Sequence, residues 1–306
     1  MFLALIPTIA WAMGSIATSR VARAFGAAKA NRWRMILAVA ILGAWTLPQH
    51  GLPSWNATAL WLLLSGIIGL GLGDIAMLIG YRHIGPRLCI LILLCGAVPV
   101  AGVVEWLWQG VGIGHGDMLL MGLILTGVAI AVWPSARPRS TYGIVWIGLL
   151  FAILAAIGQG LATALSRIAY AASDQAIDGI AATWVRMCGG LACTLLAERV
   201  MHLTPGQPPV ARAAAAMADD RCCQPPPVHH PWRWMVMATA LGPVIGLSAY
   251  QWALIHHPGA LIQAITACTP VVVIPLAWGI DGDRPSRRSI IGALLACAAT
   301  MALLLA

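Results

Sequence analysis

The sequence predicts an all-α polytopic membrane protein with ten transmembrane helices, arranged as two inverted five-helix repeats. Three observations lead to this fold class. Hydrophobic residues make up 60% of the 306-residue chain and charged residues 9%, whereas soluble proteins carry about 25% charged residues. The apolar runs are continuous rather than alternating, which favours helices over a β-barrel. Finally, features of the first half of the chain recur in the second half.

The length of the chain leaves room for about ten spans, because a transmembrane helix takes about 20 mainly apolar residues. No basic region precedes the first apolar run and no small-residue cleavage site follows it, so that run is interpreted as a span rather than a removed signal peptide. We expect a multi-pass protein of the inner or plasma membrane. The predicted spans are 2–19, 33–49, 57–81, 87–108, 117–134, 143–166, 177–200, 232–255, 259–279 and 288–306.

The basic residues lie almost entirely on one side of this topology. Every Lys and Arg except Arg167 and Arg186 falls in or beside the loops that follow odd-numbered spans. Because Lys and Arg are enriched in cytoplasmic loops, both termini are predicted to lie outside. This bias also explains the formal net charge of +8, so no nucleic-acid partner is expected.

The two predicted repeats cover residues 1–134 and 143–306, and the second contains a long polar loop at 204–231. Arg34 near the start of the second span corresponds to Arg186 in the seventh. Five helices per repeat is an odd number, so the two copies must insert with opposite orientation. Inverted repeats with a site between them are the architecture of many secondary transporters.

Two further pairs of residues match between the repeats. Gly122 corresponds to Gly292, and Pro99 corresponds to Pro270. Both prolines fall in the middle of a predicted span, where a proline kinks the helix and frees a backbone carbonyl. Paired breaks of this kind are the best sequence indication of a central binding site. The alternative is a kink that serves packing alone.

Short motifs follow one another along the chain in a specific order. In the first half they are Gly73-Asp74, Tyr81-Arg82, Ile84-Gly85-Pro86-Arg87-Leu88 and Pro99. In the second half they are Ala240-Leu241-Gly242-Pro243, Pro258-Gly259-Ala260, Thr269-Pro270, Ile274-Pro275-Leu276 and Asp283-Arg284-Pro285-Ser286. Together they resemble EamA-type permeases of the drug/metabolite transporter superfamily, over essentially the whole chain.

This resemblance implies ten helices in two inverted halves, with export or uptake of small metabolites through a central cavity. Two features depart from the family pattern. Family members usually carry a Glu about eleven residues after the fourth-helix proline, where this chain has Gly110. The family is also usually drawn with both termini in the cytoplasm, opposite to the charge bias, although both orientations occur among relatives.

Asp74 is the most prominent candidate for a functional residue. It lies deep in an apolar span, where a carboxylate costs on the order of 2.5–3.5 kcal/mol on insertion scales. Such residues usually face the bundle interior and mark a pathway. Tyr81, seven residues later, shares its helix face. We interpret Asp74 as a substrate or proton site. The alternatives are an ion-pair partner for Arg34 or Arg186 and a shallower, solvated position.

Other polar residues in the spans are predicted to line a cavity. Arg186 is the tenth residue of its span and a candidate contact for a substrate anion or for Asp74, with snorkelling as the alternative. Glu105 is a second acid within the spans. The alternative for the uncharged groups is interhelical hydrogen bonding, worth about 1 kcal/mol or less. The remaining pathway candidates are Ser15, Thr18, Pro99, Gln159, Thr163, Tyr250, Gln251, Gln263, Thr266 and Pro270.

The leading functional hypothesis is a permease that moves a small-molecule substrate by alternating access, with proton coupling through Asp74 as a further hypothesis. The rival classes are an intramembrane enzyme and a non-transporting membrane subunit. The chain lacks the HExxH and GxSxG motifs, which argues against an enzyme. Amino acids, nucleosides and aromatic metabolites fit the predicted lining equally well.

No cofactor is expected, and the partners are the substrate and the lipid bilayer, with the chain as a monomer or homodimer. Cys222-Cys223 with His229-His230 invites a metal site. Adjacent cysteines and adjacent histidines do not have the spacing of structural zinc ligands. We therefore expect no metal, and we interpret residues 204–231 as a flexible polar linker.

Overall fold

The computed structural model describes residues 2–51, 56–110, 112–132, 145–173, 177–203, 229–281 and 286–305, and these contain helices but no strand. A short 3₁₀ turn, Phe2–Ala4, leads into the first helix. The α-helices are α1 (Leu5–Phe25), α2 (Ala27–His50), α3 (Ala57–Gly66), α4 (Asp74–Ile84), α5 (Pro86–Gln109), α6 (His115–Val132), α7 (Val145–Ala171), α8 (Gly179–Leu203), α9 (Pro231–Thr239), α10 (Leu247–His256), α11 (Gly259–Thr266), α12 (Thr269–Asp281) and α13 (Arg287–Leu305).

Nine helical stretches of the described chain are long and apolar enough to cross a membrane. They coincide with nine of the ten predicted spans, so the chain is a multi-pass membrane protein. The remaining predicted span, the second (33–49), lies in α2, which is 24 residues long. Lys29, Arg32 and Arg34 at its start make α2 more polar than the others, and it is not among the nine. Ten spans therefore remain a prediction.

Two of the spans contain a π-helical segment at their centre. The first segment, Ile67–Gly73, joins α3 to α4, and the second, Ala240–Gly246, joins α9 to α10. Each is seven residues long, and the third residue of each is a glycine, Gly69 or Gly242. A π-helical turn replaces i→i+4 hydrogen bonds with i→i+5 bonds and is frequent at functional sites. Neither segment was predicted from the sequence.

The last helices of the two predicted repeats, α6 and α13, cross at a pair of glycines. A Cβ at Gly127 would lie 2.6 Å from the backbone N of Ala296, and one at Gly292 would lie 2.4 Å from the backbone N of Ala131. The contact is thus reciprocal, with a glycine and an alanine four residues apart on each helix. Small residues at this spacing let membrane helices approach closely. Gly122, matched to Gly292 in the sequence, has open space beside it instead.

The ninth predicted span is divided by a break at Ala267–Cys268. α11 ends at Thr266, α12 begins at Thr269, and the Thr269 hydroxyl donates to the Thr266 carbonyl oxygen (2.6 Å). Pro270 is therefore the second residue of α12 rather than a kink inside a helix. Pro99 lies within the continuous helix α5 and is exposed. The two matched prolines thus have different structural roles.

Candidate functional site

Four helices of the second half bring polar side chains together in the interior of the bundle. Helix α7 contributes two of them, α8 one, α10 two and α11 one. The exposed fraction of the Arg186 side chain and backbone together is 1%, and that of Tyr250 and Gln251 is 0%. Thr163 and Gln263 are equally buried, and Tyr170 is half-buried. We call this set the Arg186 cluster: Thr163, Tyr170, Arg186, Tyr250, Gln251 and Gln263.

A triangle of close polar contacts connects three of these helices. The Tyr250 hydroxyl donates to Gln263 Oε1 (2.5 Å) and lies 2.7 Å from Thr163 Oγ1. The Thr163 hydroxyl also lies 3.3 Å from Gln263 Oε1. The Tyr250 ring packs against the ring of Trp11 on α1, with 5.5 Å between centroids. These contacts fix the positions of α7, α10 and α11 relative to one another.

A second hydrogen bond orients the amide of Gln251. The Tyr170 hydroxyl donates to Gln251 Oε1 over 2.5 Å. The amide nitrogen of the same side chain is buried and has no hydrogen-bond partner. The tyrosine thus engages the acceptor end of the amide and leaves the donor end free.

Arg186 carries a charge in this buried region without a protein counterion. Its Nε and Nη1 atoms are buried and have no hydrogen-bond partner, and in the described part of the chain no carboxylate lies within 4.0 Å. The side chains of Tyr170 and Tyr250 lie near its guanidinium. Buried donors without partners are rare and costly, and an unpaired buried charge is costlier still. The contacts of the described chain therefore do not account for the burial of the Arg186 charge.

The first π-helical segment, Ile67–Gly73, lies next to the Arg186 guanidinium. A Cβ at Gly69 would lie 3.7 Å from Arg186 Nη2 and 3.7 Å from Gln159 Oε1. Gln159 lies one turn before Thr163 on α7. The Thr163 hydroxyl donates to the backbone carbonyl oxygen of Gln159 (3.0 Å). The segment brings a helix of the first half against the Arg186 cluster of the second.

Glu105 has a separate structural task. Both of its carboxylate oxygens accept hydrogen bonds from the backbone N–H of Gly259, at 2.8 and 3.0 Å, at the start of α11. Its Oε1 atom lies 3.9 Å from Arg167 Nε, and Arg167 donates to the Leu254 carbonyl (2.7 Å). Glu105 thus holds α11 in place and serves as the counterion of Arg167, not of Arg186.

Asp74 and Tyr81 lie outside this hydrogen-bonded network. Asp74 is half-buried at the first position of α4, directly after the first π-helical segment. It interacts electrostatically with Arg34, but among the described residues it forms no hydrogen bond and no ion pair with Arg34 or Arg186. The Tyr81 ring packs into an apolar cluster with Ile84 and neighbouring residues.

Three other predicted pathway residues direct their side chains elsewhere. The Ser15 hydroxyl is exposed and donates to the Ala12 carbonyl of its own helix (2.7 Å). The Thr266 hydroxyl donates to the Ile262 carbonyl (3.0 Å). Thr18 is half-buried and has no hydrogen bond with the described chain. These residues do not contribute to the Arg186 cluster.

Tyr170 is the one member of the cluster that the sequence interpretation missed. Its spacing from Thr163, seven residues on one helix, places both on the same face, and this was the available signal. Within the described ranges, no group of three or more His, Cys, Asp or Glu side chains could hold a metal ion. Cys222-Cys223, considered above as a metal ligand pair, lies outside the described residues.

Comparison with known proteins gives a family and a fold. The model of the EamA-like transporter family matches residues 1–133 and 146–305. No curated protein matches the sequence significantly. A solved structure described as "Crystal structure of protein" superposes with a TM-score of 0.73, covering 100% of this chain and 96% of its own, at 17% identity. At that identity the likeness concerns the fold alone.

Proposed function

Because the chain belongs to the EamA-like transporter family, we propose that it is a secondary transporter that moves a small metabolite across the inner or plasma membrane by alternating access. Members of this family are transporters rather than enzymes. The observation that supports the proposal is the Arg186 cluster, where buried hydrogen-bond donors without partners lie inside a bundle of membrane helices. Polar groups at such positions mark substrate pathways.

The position of the cluster suits a substrate site. Arg186 lies seven residues after Gly179, the first residue of α8, which is about 10 Å along the helix axis. Its neighbours are held in place by hydrogen bonds before any substrate arrives, so their geometry is pre-organised. We place the substrate between α7, α8, α10 and α11, against the first π-helical segment.

Two observations support the repeat architecture that alternating access requires. The π-helical segments have equal length and occupy matching spans, and the α6–α13 contact is reciprocal about Gly127 and Gly292. Both are expected when two copies of one unit face each other with opposite orientation. In the proposed mechanism the halves, 1–134 and 143–306, rock about the site between them.

We further propose that Asp74 couples transport to protons. Its carboxylate adjoins a π-helical segment, lies in a membrane span and has no hydrogen-bond partner in the described chain, so no hydrogen bond there holds it in one protonation state. The basic loops face the cytoplasm in this scheme. The transporter acts as a monomer or homodimer in the bilayer, with a small molecule as its only other partner.

Flux measurements in proteoliposomes test both parts of the proposal. Uptake and efflux of a pooled metabolite library are measured at two pH gradients for the wild type and Asp74→Asn, with protein-free vesicles as the control. We expect gradient-dependent flux in the wild type and gradient-independent exchange in Asp74→Asn. Flux equal to that of the empty vesicles contradicts transport, and an unchanged gradient dependence in the variant removes Asp74 from the coupling.

A further inference from the structure

We propose that the Arg186 cluster binds the carboxylate of a monoanionic substrate, and that the metabolite carried is a small carboxylic acid in its ionised form. This inference rests on the proposed function and names the substrate class of the same site. It follows from the charge balance of the interior, from the kind of hydrogen-bonding group left free, and from the shape of the guanidinium.

The charge balance calls for one negative charge. Two other arginines have acidic partners, since Arg167 lies 3.9 Å from Glu105 and Arg32 lies 2.8 Å from Glu198. Arg186 has no acid within 4.0 Å in the described ranges, although it is the most deeply buried of the three. A single carboxylate neutralises it, whereas a phosphate dianion leaves an excess negative charge in a low-dielectric interior, which is costly.

The free groups of the cluster are donors. The side-chain oxygens of Gln251 and Gln263 already accept hydrogen bonds from Tyr170 and Tyr250. By contrast, the Gln251 amide nitrogen and two guanidinium nitrogens of Arg186 are buried without partners. A site whose unpartnered buried atoms are mostly N–H donors favours an oxygen-bearing anion over an ammonium group.

A third side chain with an unpartnered donor, after Arg186 and Gln251, lies on α10 near Gln251. The Ser248 hydroxyl is buried without a partner, three residues before Gln251, and residues at this spacing are neighbours on a helix. The guanidinium itself is planar and matches the two oxygens of a carboxylate in a bidentate arrangement. Charge, donor pattern and shape therefore agree on one ligand chemistry.

Matched pairs of acids and amides test this inference. The purified protein in detergent is heated with acetate, lactate or benzoate, with the primary amide of each, or with inorganic phosphate. We expect the melting temperature to rise with at least one of the carboxylates and to stay unchanged with its amide and with phosphate. Equal melting-temperature shifts with the acids and their amides, or no shift with any acid, overturn the proposal. This experiment uses the wild-type protein alone.

Arginine variants then locate the site. In Arg186→Met the affinity for the responding carboxylate is expected to fall by at least about 30-fold, because one partner of a buried charge pair is removed. The same substitution at the matched position, Arg34→Met, is expected to change it less than about 3-fold. Arg186→Lys keeps the charge but lacks the planar guanidinium. Its affinity for the carboxylate is expected to lie between those of Arg186→Met and Arg34→Met.

The ligand-free protein supplies a readout that distinguishes binding from a structural role. Removing an uncompensated buried charge in Arg186→Met is expected to raise the ligand-free melting temperature, by about 2–4 °C for each kcal/mol gained. A lower melting temperature means that Arg186 supports the fold, and it overturns the proposal. Acid-selective stabilisation without flux in proteoliposomes leaves the carboxylate site standing and refutes transport. Flux of neutral substrates without acid-selective stabilisation supports transport and refutes the carboxylate site.

Discussion

Arg34 and Arg186 occupy matching positions in the two halves, but their surroundings differ. Each lies near the third residue of the π-helical segment of the other half: Arg34 Nη1 is 4.0 Å from a Cβ built on Gly242, and Arg186 Nη2 is 3.7 Å from one built on Gly69. Arg34 is half-buried and donates to Asn31 Oδ1 over 2.8 Å. Arg186 is fully buried and has no partner in the described chain.

This difference shows which part of the pattern is framework and which part is specialised. The framework, an arginine beside a π-helical glycine, occurs twice. Only Arg186, and not Arg34, is fully buried and surrounded by hydrogen-bonded tyrosines and glutamines. An arginine with a protein partner and access to solvent is inexpensive to keep, whereas one buried without a partner destabilises the empty protein. Under the carboxylate-site proposal, Arg186 is therefore the position where a bound ligand contributes most.

The largest effect is expected from Gly66→Ala, which breaks the packing beneath Arg186. A Cβ at this position would lie 2.0 Å from the carbonyl oxygen of Arg186 and 2.8 Å from its Cα, so the two helix backbones must separate. We expect a loss of roughly 3 kcal/mol in unfolding free energy, measured by thermal unfolding in detergent. Gly242→Ala, with nothing nearer than 4.0 Å, is the control and should stay within about 0.5 kcal/mol.

Glu105→Gln sharpens the comparison by creating a second unpaired arginine. The amide still accepts from Gly259, but Arg167 loses its counterion. Breaking a buried ion pair costs about 3–5 kcal/mol, and we expect about 2 kcal/mol here, because the atoms are 3.9 Å apart and the Arg167 side chain is 18% exposed. In a double-mutant cycle, adding Arg167→Gln should restore part of this loss. Additive losses would mean that the pair does not interact.

Removing single tyrosine hydroxyls compares the hydrogen-bonded network with the Asp74 region. Tyr250→Phe deletes the donor to Gln263 Oε1 inside a fully buried site, and we expect a loss of about 1–2 kcal/mol. Tyr81→Phe removes a hydroxyl that makes no hydrogen bond with the described residues, so we expect a change within about 0.5 kcal/mol. Chemical denaturation of both variants in detergent checks the difference. Similar losses would place Tyr81 in an equivalent network.

The smallest effect is expected from Ser15→Ala. This hydroxyl was a predicted lining group, yet it is exposed and bonds to its own helix. We expect stability within about 0.5 kcal/mol of the wild type and substrate flux within about 2-fold in proteoliposomes. Thr163→Val, which removes the 2.7 Å contact with Tyr250, is the matched variant and should reduce flux more. A larger defect in Ser15→Ala would extend the site toward α1.

The sequence predicted the helices well because continuous apolar runs and their polar ends determine what crosses a membrane. It did not show which of the candidate residues are buried together. Asp74 was the most prominent because an acid in an apolar run is conspicuous, while the burial of Arg186 depends on how α7, α8 and α10 pack. The sequence also did not distinguish Pro99, in a continuous helix, from Pro270, just after a break. Every proline lacks a backbone N–H, whatever its surroundings. Whether the helix breaks near that proline depends on the residues packed around it.

The π-helical segments illustrate the same limit. The glycines of Ile67–Gly73 suit tight helix packing, and a Cβ built on Gly69 would lie only 2.6 Å from the Cβ of Ala162. Whether such a stretch takes i→i+4 or i→i+5 hydrogen bonds depends on those long-range contacts. Periodicity in the sequence carries no signal for that choice.

The break at Ala267–Cys268 divides the ninth predicted span beside the proposed substrate site. The backbone N–H groups of Ala267 and Cys268 bond back to Gln263 and Ile265, while those of Val271 and Val272 bond to Cys268, so the helical ladder starts afresh there. On one side, α11 is buried along its whole length and is anchored at its start by Glu105. On the other side, α12 begins a new helix at Thr269. In the proposed transport mechanism α12 tilts about this break while Gln263 stays in place, so access to the substrate and its recognition fall to separate pieces of one span.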